Sequence, residues 1–126
     1  MEAFVATLPC QASRLADLRR DLGEWLDERD LSDELRSSVV LATHEAAANA
    51  IEHAVAGESV EVRAAIDGDN LTVAVTDTGA WKHASFDTDE RGRGLMVISM
   101  LMPQVEITTE PSGTTVRMTA KLSKPT

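Results

Sequence analysis

Several things are scarce in this chain, and each scarcity removes a class of protein. Cys10 is the single cysteine among 126 residues, so no internal disulfide can close and nothing points to an oxidising compartment. No apolar run approaches the roughly 18 residues that a membrane span requires. The opening MEAFVATLPC lacks the basic start and long apolar stretch of a secretory leader, so a cytoplasmic location is expected. Positive charge is also short: 12 Lys and Arg against 21 Asp and Glu leave a net charge of −9. Such a surface repels phosphate backbones and disfavours direct nucleic-acid binding. A small anionic ligand is still allowed, because helix N-termini and bound cations reverse the potential locally. Internal repeats and low-complexity segments are missing too, and the tail SKPT reads as a short loose end.

What is present is an ordinary globular composition, 43% hydrophobic, over a length that suits one domain spanning residues 1–126 with a core of its own. Residues 3–8 read as a strand with Phe4, Ala6 and Leu8 on one face. From Gln11 to Arg29 the spacing of Leu15, Leu18, Leu22, Trp25 and Leu26 predicts an amphipathic helix, with Ser13 as its cap. The outer face of that helix, with Arg14, Asp17, Arg20 and Asp21, is either a partner surface or an ordinary solvated face. Ser32, followed by Asp33 and Glu34, signals a second N-terminus, and this helix should run through Ala54 and stop near Gly57. The period then changes to two. Val60, Val62, Ala64 and Ile66, the turn DGDN, and Leu71, Val73 and Val75 predict a hairpin. A polar segment, 80–94, leads into the apolar helix LMVISMLM, ended by Pro103, and strands over 104–109 and 114–122 close the chain. The order β-α-α-β-β-α-β-β predicts a two-layer α+β sandwich, with helices on one face of a mixed, mostly antiparallel sheet.

The residues that could carry chemistry lie at the edges of these elements. In HEAAANAIEHA (44–54), Glu45, Asn49 and either Glu52 or His53 fall at i, i+4 and i+7 or i+8, along one stripe of a helix otherwise built of alanine. By itself this is also the pattern of a solvated stripe. A zinc-protease reading fails because the second histidine of HExxH is replaced by Ala48. The strand ending TDTG places Asp77 and Gly79 where a carboxylate could accept a hydrogen bond from an exocyclic amine and a ring could pack near backbone, although Asp-Gly pairs also make plain turns. RGRGLMVISML (91–101) puts Gly92 and Gly94 before a helix whose free N–H groups could receive phosphate. It is not a dinucleotide fingerprint, since it follows a loop and Val97 stands where a third glycine would be, and Walker A is absent.

Taken in order, E-x-x-x-N on a helix, D-x-G at a strand end, G-x-G before a helix and G-T opening a strand resemble the four boxes of the GHKL (Bergerat) ATPase superfamily. The chain looks closest to its small anti-sigma factor serine-protein kinases, of the RsbW and SpoIIAB type, on EAAANAIEHA, RGRGLMVISML and GTTVRM. The resemblance implies ATP and Mg²⁺ as cofactors. It assigns Asn49 to Mg²⁺ and Glu45 to the base that takes a proton from the attacking hydroxyl. It gives Asp77 and Gly79 to the adenine, and Arg91, Gly92, Arg93, Gly94 and Leu95 to the phosphates and lid. Thr114 falls on the adenine side, with Thr115 the fallback if the register shifts by one, and His53 is read as structural. One departure stands out: Trp81 replaces the second glycine of D-x-G-x-G, where it would either cover the nucleotide or fill part of its pocket.

By the same resemblance the partners are an anti-sigma-factor antagonist, phosphorylated on serine or threonine, and a sigma factor that is held, with the chain working as a homodimer. Neither nucleic acid nor membrane is expected as a direct partner. Two alternatives remain open. One is a non-catalytic switch that regulates a partner by binding alone, with or without nucleotide. The other is the catalytic domain of a sensor kinase acting on a histidine supplied by a partner, since the helical hairpin that would present one is lacking.

Overall fold

In the computed structural model, which describes residues 3–29, 31–53, 59–77, 96–110 and 113–122, the switch in sequence period becomes a switch in layer. Strand β1 is Phe4–Pro9, helix α1 is Leu15–Asp27 and helix α2 is Asp33–His53. Strands β2 (Ser59–Asp67), β3 (Asn70–Asp77), β4 (Gln104–Glu110) and β5 (Gly113–Lys121) follow, with residues 96–101 helical before β4. The strands form one sheet in the order β1-β2-β3-β5-β4. Among the described residues each of these pairings is antiparallel: β2–β3 and β4–β5 follow one another directly, β1 and β2 are joined through the two long helices, and the chain crosses to the far edge at β4 before β5 returns beside β3. Asp67 and Asn70 pair across a two-residue hairpin loop whose Gly68 has φ +65°, a backbone conformation that costs other residues energy.

Register aligns the inward side chains into rows across the sheet. Phe4, Ala64, Val73, Met118 and Val105 form one row; Ala6, Val62, Val75, Val116 and Ile107 form the next. These rows meet the helices. Leu18, Leu22 and Leu26 of α1 are almost wholly buried, as are Val39, Ala42, Ala46 and Ala47 of α2, Ile98 of the third helical segment and Met102 just after it. Burying one such leucine contributes about 1.5–3 kcal/mol, so this contact between layers is the main source of stability. The opposite sheet face is polar, with Arg63 and Glu61 paired at 2.9 Å and Arg117 exposed.

The start of α2 follows from its cap. Ser32 Oγ accepts the Leu35 N–H at 3.1 Å, its carbonyl accepts the Arg36 N–H at 3.0 Å, and Asp33 and Glu34 occupy the first turn. Such a cap is worth about 1 kcal/mol. The predicted cap of α1 is not formed. Ser13 lies inside a 3₁₀ turn, Ala12–Arg14, and the helix enters after Arg14 without a side-chain cap. The tight turn moves the start of α1 to Leu15, so that Leu15 can reach the core, and the helix ends at Asp27 rather than Arg29. There Arg29 lies over the Trp25 ring at 4.0 Å, and that ring meets Phe4 at 6.1 Å between centroids. The outer face of α1 is occupied by its own exposed ion pairs, Arg14–Asp17 at 3.8 Å and Arg20–Asp17 at 3.4 Å. Gly57 and the tail after Leu122 lie outside the described residues. No helix among the described residues is long and apolar enough to cross a membrane.

Candidate active site

The site is where the inward rows of the sheet stop being apolar. One step beyond Val62, Val75 and Val116, the next row reads Leu8, Val60, Asp77 and Thr114. Asp77 closes the central strand and is 1% exposed; Thr114, its cross-strand partner, is equally buried. The Thr114 hydroxyl is hydrogen-bonded to nothing among the described residues. A buried hydroxyl without a partner costs about 1–3 kcal/mol, which a ligand offering a donor or acceptor at that point would recover. Thr115 faces the other way and shares a hydrogen bond with Thr76 at 3.1 Å on the open face of the sheet. Of the pair, Thr114 is therefore the residue placed beside Asp77.

Helix α2 lies across β2 and β3. Its buried stripe is Val39, Ala42, Thr43, Ala46, Ala47, Asn49 and Ala50, mostly small side chains with one amide, and Leu35, Val40 and Ile51 pack partly buried against the core beside it. Its direction is fixed at both ends. Near its start, Ser32, Leu35 and Ser38 share a shallow cavity with Lys121 and Leu122 at the end of β5. Near its end, the chain passes from His53 to Ser59 and so to Val60, which pairs with Asp77. From Leu35 to Asn49 the helix advances roughly 21 Å. From Lys121 back to Thr114 the strand covers roughly 24 Å. Asn49 therefore lies toward the end of α2 that leads into β2, on its buried side. It is 9% exposed, and Glu45, one turn earlier, is half-buried. Glu52 is exposed and belongs to the solvated side of the helix, while the side chain of His53 lies outside the described residues.

A neighbour of Glu45 was not singled out by the sequence. His44 Nδ1 lies 2.8 Å from Arg19 Nη1, which ties α1 to α2. Burial of the imidazole, then the Arg19 guanidinium, lower the pKa of His44 from 6.5, and the Glu45 carboxylate opposes them. The sequence signal was available only as a polar residue on the side of α2 that faces another helix.

Gly79, Arg91, Gly92, Arg93, Gly94 and Leu95, expected to hold the ring and the phosphates, lie outside the described residues, as does Trp81. For a metal, no group of three or more His, Cys, Asp or Glu side chains converges among the described residues. Asn49 offers a single hard amide oxygen, which suits an ion such as Mg²⁺ that keeps waters and takes its other oxygens from a phosphate ligand. The buried Asp77–Thr114 pair offers a carboxylate and a hydroxyl side by side at the strand ends.

An antiparallel five-stranded sheet with its helices on one side is the fold of GHKL-type ATPases. The chain belongs to the family of histidine kinase-like ATPase domains, whose model matches residues 8–120. Among solved structures it is similar to the RsbU and RsbW domains of Rv1364c from Mycobacterium tuberculosis. There the TM-score is 0.79 at 28% identity over 99% of this chain, which spans 34% of that protein. It also shares its fold with the Acinetobacter baumannii histidine kinase AdeS, at a TM-score of 0.59 and 12% identity, covering 98% of this chain and 70% of that one. Membership implies ATP as ligand, usually accompanied by Mg²⁺.

Proposed function

We propose that the protein is a Mg·ATP-dependent serine/threonine-protein kinase that acts as an anti-sigma factor. It would phosphorylate an antagonist protein and sequester a sigma factor, as a homodimer. The observation that carries the nucleotide site is the buried Asp77–Thr114 pair, whose hydroxyl lacks a partner among the described residues. ATP would supply the phosphoryl group; the chain supplies position and proton transfer. The Asp77 carboxylate accepts from the exocyclic amine of the base, and the Thr114 hydroxyl donates to or accepts from the same ring system. The Asn49 amide oxygen serves the cation. The Glu45 carboxylate takes the proton of the incoming serine or threonine hydroxyl as its oxygen bonds to phosphorus and the bond to the departing diphosphate breaks. Retention of a half-buried carboxylate at position 45 favours catalysis over a binding-only switch. The likeness to a protein whose domains include RsbW favours the anti-sigma role.

The deciding experiment is calorimetric titration of Mg·ATP and Mg·ADP into the wild type and Asp77→Asn. Saturable binding in the wild type, weakened in the variant by about 10–100-fold, is expected from a hydrogen bond to a charged group. Absence of wild-type binding would overturn the kinase and leave the nucleotide-free, binding-only switch. With binding in hand, an acid-stable phosphoprotein product would mark serine or threonine, and an acid-labile one would mark histidine.

A further inference from the structure

Arg19 and His44 meet in a way that only one protonation state allows. A guanidinium has donors and no acceptor, so at 2.8 Å the His44 Nδ1 must be the acceptor and its ring must be neutral, with the proton on Nε2. Arg14 and Arg20 of the same helical region pair with carboxylates, whereas Arg19 reaches across to α2 and a ring nitrogen. A second proton on the imidazole turns that acceptor into a donor aimed at a cation. The hydrogen bond cannot survive, and two positive charges are left side by side. Among the described residues, the charged groups that act on this ring are Arg19 from α1 and Glu45 from α2 itself.

We propose that Arg19 and His44 form a latch between α1 and α2 that closes only on the neutral imidazole. The consequence is a contact between the two helices that opens as pH drops through the titration of one histidine.

The test is nitrogen–proton NMR of the imidazoles in the full chain, titrated across the mildly acidic range, for the wild type and Arg19→Met. The wild type is expected to show neutral His44 with Nδ1 unprotonated and a midpoint below 6.5. Arg19→Met is expected to raise that midpoint and remove the Nδ1 signature of an accepted hydrogen bond. The Nδ1–H tautomer in the wild type, or a midpoint that Arg19→Met does not move, would overturn the latch. Neither spectrum involves nucleotide, so the latch stands or falls independently of the kinase.

Discussion

The two long helices solve the same packing problem with opposite materials. Helix α1 buries Leu15, Leu18, Leu22 and Leu26 and keeps Asp17 and Arg20 on the far side, where with Arg14 they pair with one another. Helix α2 buries mainly alanines, with Thr43 and Asn49 among them, and holds Glu45 half-buried at the margin. Leucines fill the space between layers and maximise the apolar area removed from water. Alanines hold the helix close to the sheet while contributing little bulk, so a polar group at their edge stays near the strand ends without being displaced by a larger neighbour. One helix is built for stability and the other for access.

That contrast can be broken from either side. The largest effect is expected at the access helix: Glu45→Gln should lower phosphotransfer by about 10²–10⁴-fold while nucleotide affinity changes little. A variant that loses affinity as much as rate would place Glu45 in binding instead. On the stability helix, Leu22→Ala should cost about 2–5 kcal/mol in denaturant unfolding, the range for a leucine removed from a closed core. A loss well under that range would mean that α1 collapses onto the vacancy and is less fixed than its leucines suggest.

Thr114→Val sharpens the comparison at the sheet. Without nucleotide the variant should be more stable by about 1 kcal/mol, because it removes a buried hydroxyl that has no partner among the described residues. With nucleotide it should bind more weakly by roughly 3–10-fold, since a neutral hydrogen bond is worth about 0.5–1.5 kcal/mol. Stability and affinity moving in opposite directions is the signature of a group kept for a ligand; a loss of both would make Thr114 structural.

The smallest effect belongs to pH. His44 has its pKa lowered on folding, so the unfolded chain takes up a proton first as pH falls. Its contribution to stability is full above 6.5 and is lost as pH falls from there through the lower, folded midpoint. Unfolding curves measured through this range should show stability declining with acid in the wild type and declining less in His44→Asn. Equal slopes would remove His44 from the pH dependence.

Much of the fold was legible because it is written in local periods. The Leu15, Leu18, Leu22, Leu26 spacing, the Ser32 cap, and the alternation around the Asp67–Asn70 turn each need only near neighbours to take effect, and each sits where the period placed it. Ser13 failed as a cap for a local reason that the pattern does not show: a 3₁₀ turn precedes the helix and moves its first residue. The site was legible only in part. Glu45, Asn49 and Asp77 could be picked out as polar interruptions of apolar elements, and the family pattern supplied their roles. What they share could not be read, because α2 and the β3–β5 pair meet through topology.

The sequence by itself determined the elements, their buried faces and the polar residues that interrupt them, because hydrophobic period and capping act within a few residues. Only the tertiary structure decided that Thr114 rather than Thr115 stands beside Asp77, since that depends on the register of β5 against β3. It also decided that His44 accepts from Arg19 twenty-five positions away. Register and helix crossing are fixed by how whole layers pack, and no local stretch of the chain carries that information.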